Sequence, residues 1–273
     1  MRILLFVNRD IESNIALNLL LETLSRHETR VFLSDRVGKA PVTVKELEDL
    51  LFFEQDLLNN FIFPLIDQAT HKSENQYLTF RQMESRLGIA FTPLNNVNDP
   101  ESVKMIRSLD PDVIISIRYG RIFKDDIIRI PGHGVINLHA GVLPEYRGVL
   151  ATFRAMMNDE PQIGCTLHYI TDSTIDTGPI IGQARVPLRT GKSLLWNIIN
   201  LYPAGMEMVA RVLQRIELGL EIPTAEQKEH EAAYYTFPTS EDFERFRKKG
   251  YKVFDKTEYV DLLGKYYGRE HDG

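Results

Sequence analysis

The sequence predicts an α/β fold with a doubly wound, mostly parallel sheet, rossmann-like in its winding, and a small carboxyl-terminal extension. Three observations lead there. Residues 3–7 (ILLFV) form a continuous apolar run bounded by polar residues, the pattern of a strand buried on both faces. Residues 13–24 then carry Ile15, Leu17, Leu19, Leu20 and Leu24 at helical spacing, and residues 29–33 read as a second strand. A strand, a helix and another strand at the start of a chain imply a parallel pair joined by a crossover helix.

The remaining elements follow in order. Between residues 44 and 65, Leu47, Leu50, Leu51, Leu57, Leu58 and Phe61 recur three or four apart, which fits a helix packed on the sheet or one that docks another subunit. Residues 79–87 and 100–109 read as helices, 113–117 as a buried strand, and 124–128 as a short helix after the segment RYGRIF. Residues 134–139 form the next expected strand, 151–158 a helix, 165–170 a strand, and 180–188 an extended segment. A long helix is expected over 193–218, bent at Pro203. The composition turns polar near Glu221, which places a boundary between a domain over 1–219 and an extension over 220–273.

Composition limits the function. The chain has 273 residues, 43% of them hydrophobic and 26% charged, as in an ordinary globular protein. Its single cysteine, Cys165, precludes an intrachain disulfide, so a reducing, cytoplasmic setting is expected. On its strand Cys165 reads as a small core residue. The net charge of −6 and the lack of a basic block disfavour a nucleic-acid partner. The opening run MRILLFVN is too short for a signal-peptide core, and no segment approaches the ~20 apolar residues that cross a bilayer, so no membrane partner is expected.

Chemistry gathers around Asn137, His139 and Asp176. Side chains alternate along a strand, so Asn137 and His139 share one face at the carboxyl end of their strand, the edge where parallel sheets bind ligands. Asp176 sits in TDSTIDTG, directly after the strand GCTLHYI. Each residue alone has a plainer reading: a satisfied histidine, a turn-forming aspartate. Together they supply an amide donor, a titratable base and a carboxylate that can sustain its charge. His168, one strand back, reads either as a buried structural residue or as support for the same pocket. A metal site is not expected, because no close-spaced ligand pair such as HxxxH or CxxC is present.

VINLHAGVLPEYRG (135–148) followed by GCTLHYITDSTIDTGPII (164–181) resembles the 10-formyltetrahydrofolate-dependent formyltransferase family, sharply over about 113–182 and as topology over about 1–215. The resemblance implies an N-formyltransferase with 10-formyltetrahydrofolate as formyl donor. It puts Asn137, His139 and Asp176 in the catalytic positions. It puts Tyr119, Gly120, Arg121 and Ile122 in the segment whose backbone holds the pterin, and Asp172 and Thr174 in the loop over the folate. Tyr146 and Arg147 fall near the formyl-bearing end, as candidates for substrate binding.

The acceptor is read from departures. Where a ribonucleotide-binding relative has a glycine-rich turn after its first strand, this chain has NRDIESN (8–14), with Asp10 and Glu12 where a phosphate needs N–H donors. Ser13 or Asp10 reads instead as a helix cap. From residue 220 onward nine Lys/Arg face twelve Asp/Glu, a net of 9 − 12 = −3, the wrong sign for gripping RNA. A small-molecule amine remains, with a nucleotide-linked 4-amino-4,6-dideoxy sugar of the kind used in lipopolysaccharide biosynthesis expected first, and N-hydroxyornithine as its rival. The tail AAYYTFPTSEDFERFRKKG (232–250) is similar to segments of sugar N-formyltransferases, and its Tyr234 and Tyr235 either stack on a base or pack on the main domain. A binding module without catalysis is the reading outside this class, and a dehydrogenase lacks its GxGxxG. A homodimer is expected as the assembly.

Overall fold

The computed structural model describes residues 1–35, 44–69 and 76–267. The chain begins β1 (Arg2–Asn8), α1 (Ile11–Leu24), β2 (Glu28–Ser34). A helical run follows: α2 (Lys45–Leu51), two π-helical turns at Phe52–Asp56 and Leu58–Ile62, and α3 (Phe63–Gln68). Next come α4 (Phe80–Leu87), β3 (Ala90–Pro93), α5 (Pro100–Ser108), β4 (Val113–Ile117), α6 (Asp125–Ile128) and β5 (Val135–His139). The rest is β6 (Arg147–Gly148), α7 (Ala151–Met157), β7 (Gln162–Ile170), β8 (Ile180–Pro187), α8 (Leu194–Ile199), α9 (Tyr202–Glu217), β9 (Tyr234–Tyr235), α10 (Ser240–Lys248) and α11 (Lys256–Tyr267).

Seven strands form one sheet in the order β3-β2-β1-β4-β5-β7-β8. β1 to β5 are parallel, whereas β7 runs antiparallel to both β5 and β8. The mostly parallel α/β architecture expected from sequence is the one observed. Alternation along β1 sends Ile3, Leu5 and Val7 to one face and Leu4 and Phe6 to the other. The first face carries α1, the α2–α3 run and α7 to α11; the second carries α5 and α6.

Three elements differ from expectation. β3 was not anticipated: a four-residue strand containing Phe91 and Pro93 is tolerated because it lies at the sheet edge. The helix expected over 193–218 is two helices, since Pro203 in the first turn of α9 cannot continue a preceding helix and starts a new one. The tail has two helices; α10 begins at a capping box in which Thr239 and Asp242 exchange hydrogen bonds.

Residues beyond 219 contribute Phe243, Phe246, Tyr251, Tyr259 and Tyr266 to the same core as the sheet. The Phe153 ring lies 5.0 Å from that of Phe243 and 4.7 Å from that of Phe246. Phe53 stacks on Phe254. The Tyr266 hydroxyl donates to Asn14 Oδ1 at 2.6 Å. Among the described residues, no helix is long and apolar enough to cross a membrane.

Candidate active site

β5 and β7 are paired so that Asn137 lies opposite His168 and His139 opposite Thr166. Ile136, Leu138, Ile163, Cys165 and Leu167 fill the core on one face, which leaves Asn137, His139, Thr166 and His168 together on the other. Asp176 arrives from the loop after β7. Its φ of 58° is left-handed, a conformation that costs a non-glycine residue energy and persists only under restraint.

Four side chains converge. Asp176 Oδ2 lies 3.4 Å from His139 Nδ1, and its Oδ1 lies 3.5 Å from His168 Nε2. The Asn137 amide donates to His168 Nε2 at 3.1 Å. Carbonyl oxygens only accept, so they fix two ring protons: His168 Nδ1 donates to the Tyr169 carbonyl at 2.9 Å, and His139 Nε2 to the Tyr146 carbonyl at 2.7 Å. His139 can also donate to Asp176 only as imidazolium. The Gly148 N–H donates to Asp176 Oδ2 at 2.9 Å. Burial by itself raises the Asp176 carboxyl, but its contacts with His139 and His168 and the hydrogen bond from the Gly148 N–H outweigh it and hold the group at about 2. The site is therefore built around a lasting carboxylate.

The expected trio is thus assembled, and His168, left open between two readings, contacts both Asp176 and Asn137. The other sequence candidates divide. Tyr119 lies in the core against Phe6 and Phe123, its hydroxyl donating to the Leu94 carbonyl at 2.7 Å. The Gly120 N–H is taken by Ser34 Oγ, Arg121 donates to the Asn95 carbonyl, and the Ile122 carbonyl accepts from Asn98, while the Ile122 side chain is exposed. Asp172 and Thr174 are exposed and hydrogen-bond each other within their own loop. Tyr146 is buried; its hydroxyl donates to Glu160 at 2.8 Å, burial pushes the phenol up to about 12, and its ring stacks on Tyr235. Arg147 is buried against Gln227 and Glu229. Only Tyr234 of those four candidates presents an exposed ring. Cys165 is buried and inert, burial pushing its thiol up to about 12.

A second polar cluster occupies the crevice between β1 and β4, where the strand order reverses and open α/β sheets bind ligands. Asp10 caps α1 by accepting from the Ser13 N–H at 2.8 Å. Arg118, at φ 59°, donates to Asp10 at 2.7 Å and to Glu54 at 3.1 Å, and lies 3.4 Å from Glu12. The first π-helical turn brings Glu54 and Gln55 inward together, which a regular α-helical turn does less readily. Both Glu12 oxygens lack a hydrogen-bond partner. Burial pushes Glu12 well above the carboxylate range, Arg118 opposes it, and Glu54 and Asp10 add to the rise. Sequence reasoning placed Asp10 and Glu12 here but missed Arg118 and Glu54, which meet only in three dimensions.

The formyl transferase family model matches residues 66–194, a segment that holds all of Asn137, His139, His168 and Asp176. Residues 66–194 are thus similar to the formyl transferase family. Methionyl-tRNA formyltransferase from Kosmotoga olearia is 31% identical over 182 residues, covering 66% of this chain and 58% of that protein, so the chain spans less than two thirds of this relative's length. In fold, the chain is similar to an N-formyltransferase from Helicobacter canadensis in complex with folinic acid and dTDP-3-aminofucose, with a TM-score of 0.56, 18% identity, and coverage of 86% of this chain and 71% of that one. It is also similar to glycinamide ribonucleotide transformylase 1 from Symbiobacterium toebii, with a TM-score of 0.56, 16% identity, and coverage of 84% and 94%. Among the described residues, no group of three or more His, Cys, Asp or Glu side chains is arranged to hold a metal ion.

Proposed function

We propose that this chain transfers a formyl group from 10-formyltetrahydrofolate to a primary amine of a small molecule, foremost a nucleotide-linked 4-amino-4,6-dideoxy sugar. The observation that carries the reading is the contact of Asp176 with His139 and His168 beside the Asn137 amide. Attack of the amine on the formyl carbon places negative charge on its oxygen. The second Asn137 N–H and the His139 Nε2–H, exchanged from the Tyr146 carbonyl, stabilise that oxyanion. Asp176 orients the His139 imidazole and helps remove the amine's proton, with no covalent enzyme intermediate. Exposed Ile122 and Ile175 supply apolar surface for the pterin, and exposed Tyr234 supplies a face for the acceptor's base.

Support for a small acceptor comes from the crevice at β1. There Asp10, Glu12 and Glu54 surround one arginine, so the place where a phosphate would need N–H donors is filled by carboxylates. The likeness to methionyl-tRNA formyltransferases favours a second reading, transfer to methionyl-tRNA. A formyl-donor assay against nucleotide amino sugars, N-hydroxyornithine and methionyl-tRNA separates them. Turnover of an amino sugar supports the first reading; turnover of methionyl-tRNA alone replaces it. No turnover of any amine, with folate binding retained, makes the chain a binding module.

A further inference from the structure

We infer that Gln227, in the segment between α9 and β9, is a positioning residue that holds Asp176 against the two imidazoles. The inference rests on the proposed function for its kinetic part and on geometry alone for the rest. The Gln227 amide donates twice, to the Asp176 carbonyl at 2.9 Å and the Gly178 carbonyl at 2.7 Å. Its carbonyl accepts twice, from Arg147 Nε at 3.1 Å and Nη2 at 2.7 Å. One side chain thus ties the loop carrying Asp176 to the segment whose Gly148 N–H binds the Asp176 carboxylate.

Three further restraints point the same way. Ala225 and Ile180 exchange a pair of backbone hydrogen bonds at 2.8 Å, which zips the segment to the start of β8. Arg147 and Gly148 pair with Tyr234 and Tyr235, and Arg147 is also bound by Glu229. Asp176 sits at φ 58°, which needs support from outside its own loop. The facing charged groups are His139 on β5 and His168 on β7; neither holds the Asp176 backbone. Gln227 does, without touching either imidazole in any hydrogen bond of the structure. Its amide nitrogen is fully spent on carbonyl oxygens, so a carboxylate of the same shape cannot replace it.

Gln227→Glu tests this, because it keeps an acceptor for Arg147 and loses both donations. Amide hydrogen exchange over residues 171–178 should quicken about tenfold while β5 and β7 stay protected. The kcat for formyl transfer should fall about 10- to 100-fold with KM for the donor within about twofold, as expected when a reacting group is displaced by about 1 Å. In an Asp176→Asn background the same change should cost less than about threefold, since the residue it positions is already gone. Gln227→Met serves if the glutamate variant does not fold. Unchanged exchange in a folded variant overturns the inference, and so does an undiminished loss of kcat in the Asp176→Asn background. A loosened loop in a protein that formylates no amine sustains the clamp and removes the proposed activity instead.

Discussion

Both nitrogens of His139 are engaged, Nδ1 beside Asp176 and Nε2 on the Tyr146 carbonyl, so its replacement removes a hydrogen-bond donor and the contact with Asp176 while leaving the fold's interior intact. His139→Asn should lower formyl transfer by at least 10²–10³-fold, about the cost of losing an oxyanion donor, with an unchanged melting temperature. Near-normal turnover would refute the role. Glu12 gives a prediction of the opposite kind. Its carboxyl lies well above the ordinary range when folded. Its contribution to stability is therefore full below the unfolded value, near 4.3, and is lost as pH rises toward the folded value. Glu12→Gln should consequently be relatively more stable at pH 8 than at pH 4, read from urea unfolding of both proteins. A difference that shrinks with rising pH contradicts the burial of Glu12 without a hydrogen-bond partner for its carboxyl oxygens. At this scale the sequence spoke clearly where residues are close along the chain. Asn137 and His139 share a strand face by alternation alone. The contacts of Arg118 with Glu54, or of Gln227 with Asp176, join residues 64 and 51 positions apart. No local pattern encodes them.

Elements show a similar division. Strands β1 and β4 were legible because a strand buried on both faces is apolar almost throughout, and such runs stand out. β3 was not, because an edge strand buries little and carries proline. The π-helical turns were also hidden: spacing of three and four fits an α-helix and a π-turn alike over one or two turns. The loop after β7 makes a prediction of its own. A Cβ on Gly178 would sit 1.9 Å from the Tyr169 carbonyl oxygen, a contact with backbone that cannot yield. Gly178→Ala should therefore displace Asp176 and reduce turnover by about 10²-fold, and the variant's crystal structure should show the loop moved. Full activity would mean that the placement of this loop tolerates more than its packing suggests.

Across the whole molecule, the carboxyl-terminal residues are joined to the sheet by aromatic burial. Phe246 is fully buried against Phe153, and Tyr266 against Phe63. Phe246→Ala should destabilise the protein by about 3–5 kcal/mol, and urea unfolding should keep a single transition. Two separated transitions would instead show that residues 220–267 unfold by themselves. The sequence by itself determined the strand-and-helix alternation, the parallel sheet and the chemistry of the β5 edge, because buried strands and alternating faces are written in consecutive residues. Only the tertiary structure decided that the tail holds the Asp176 loop and that an arginine with three carboxylates fills the crevice at β1. Those arrangements depend on where distant segments meet in space, and the geometry that brings them together is a property of the packed chain.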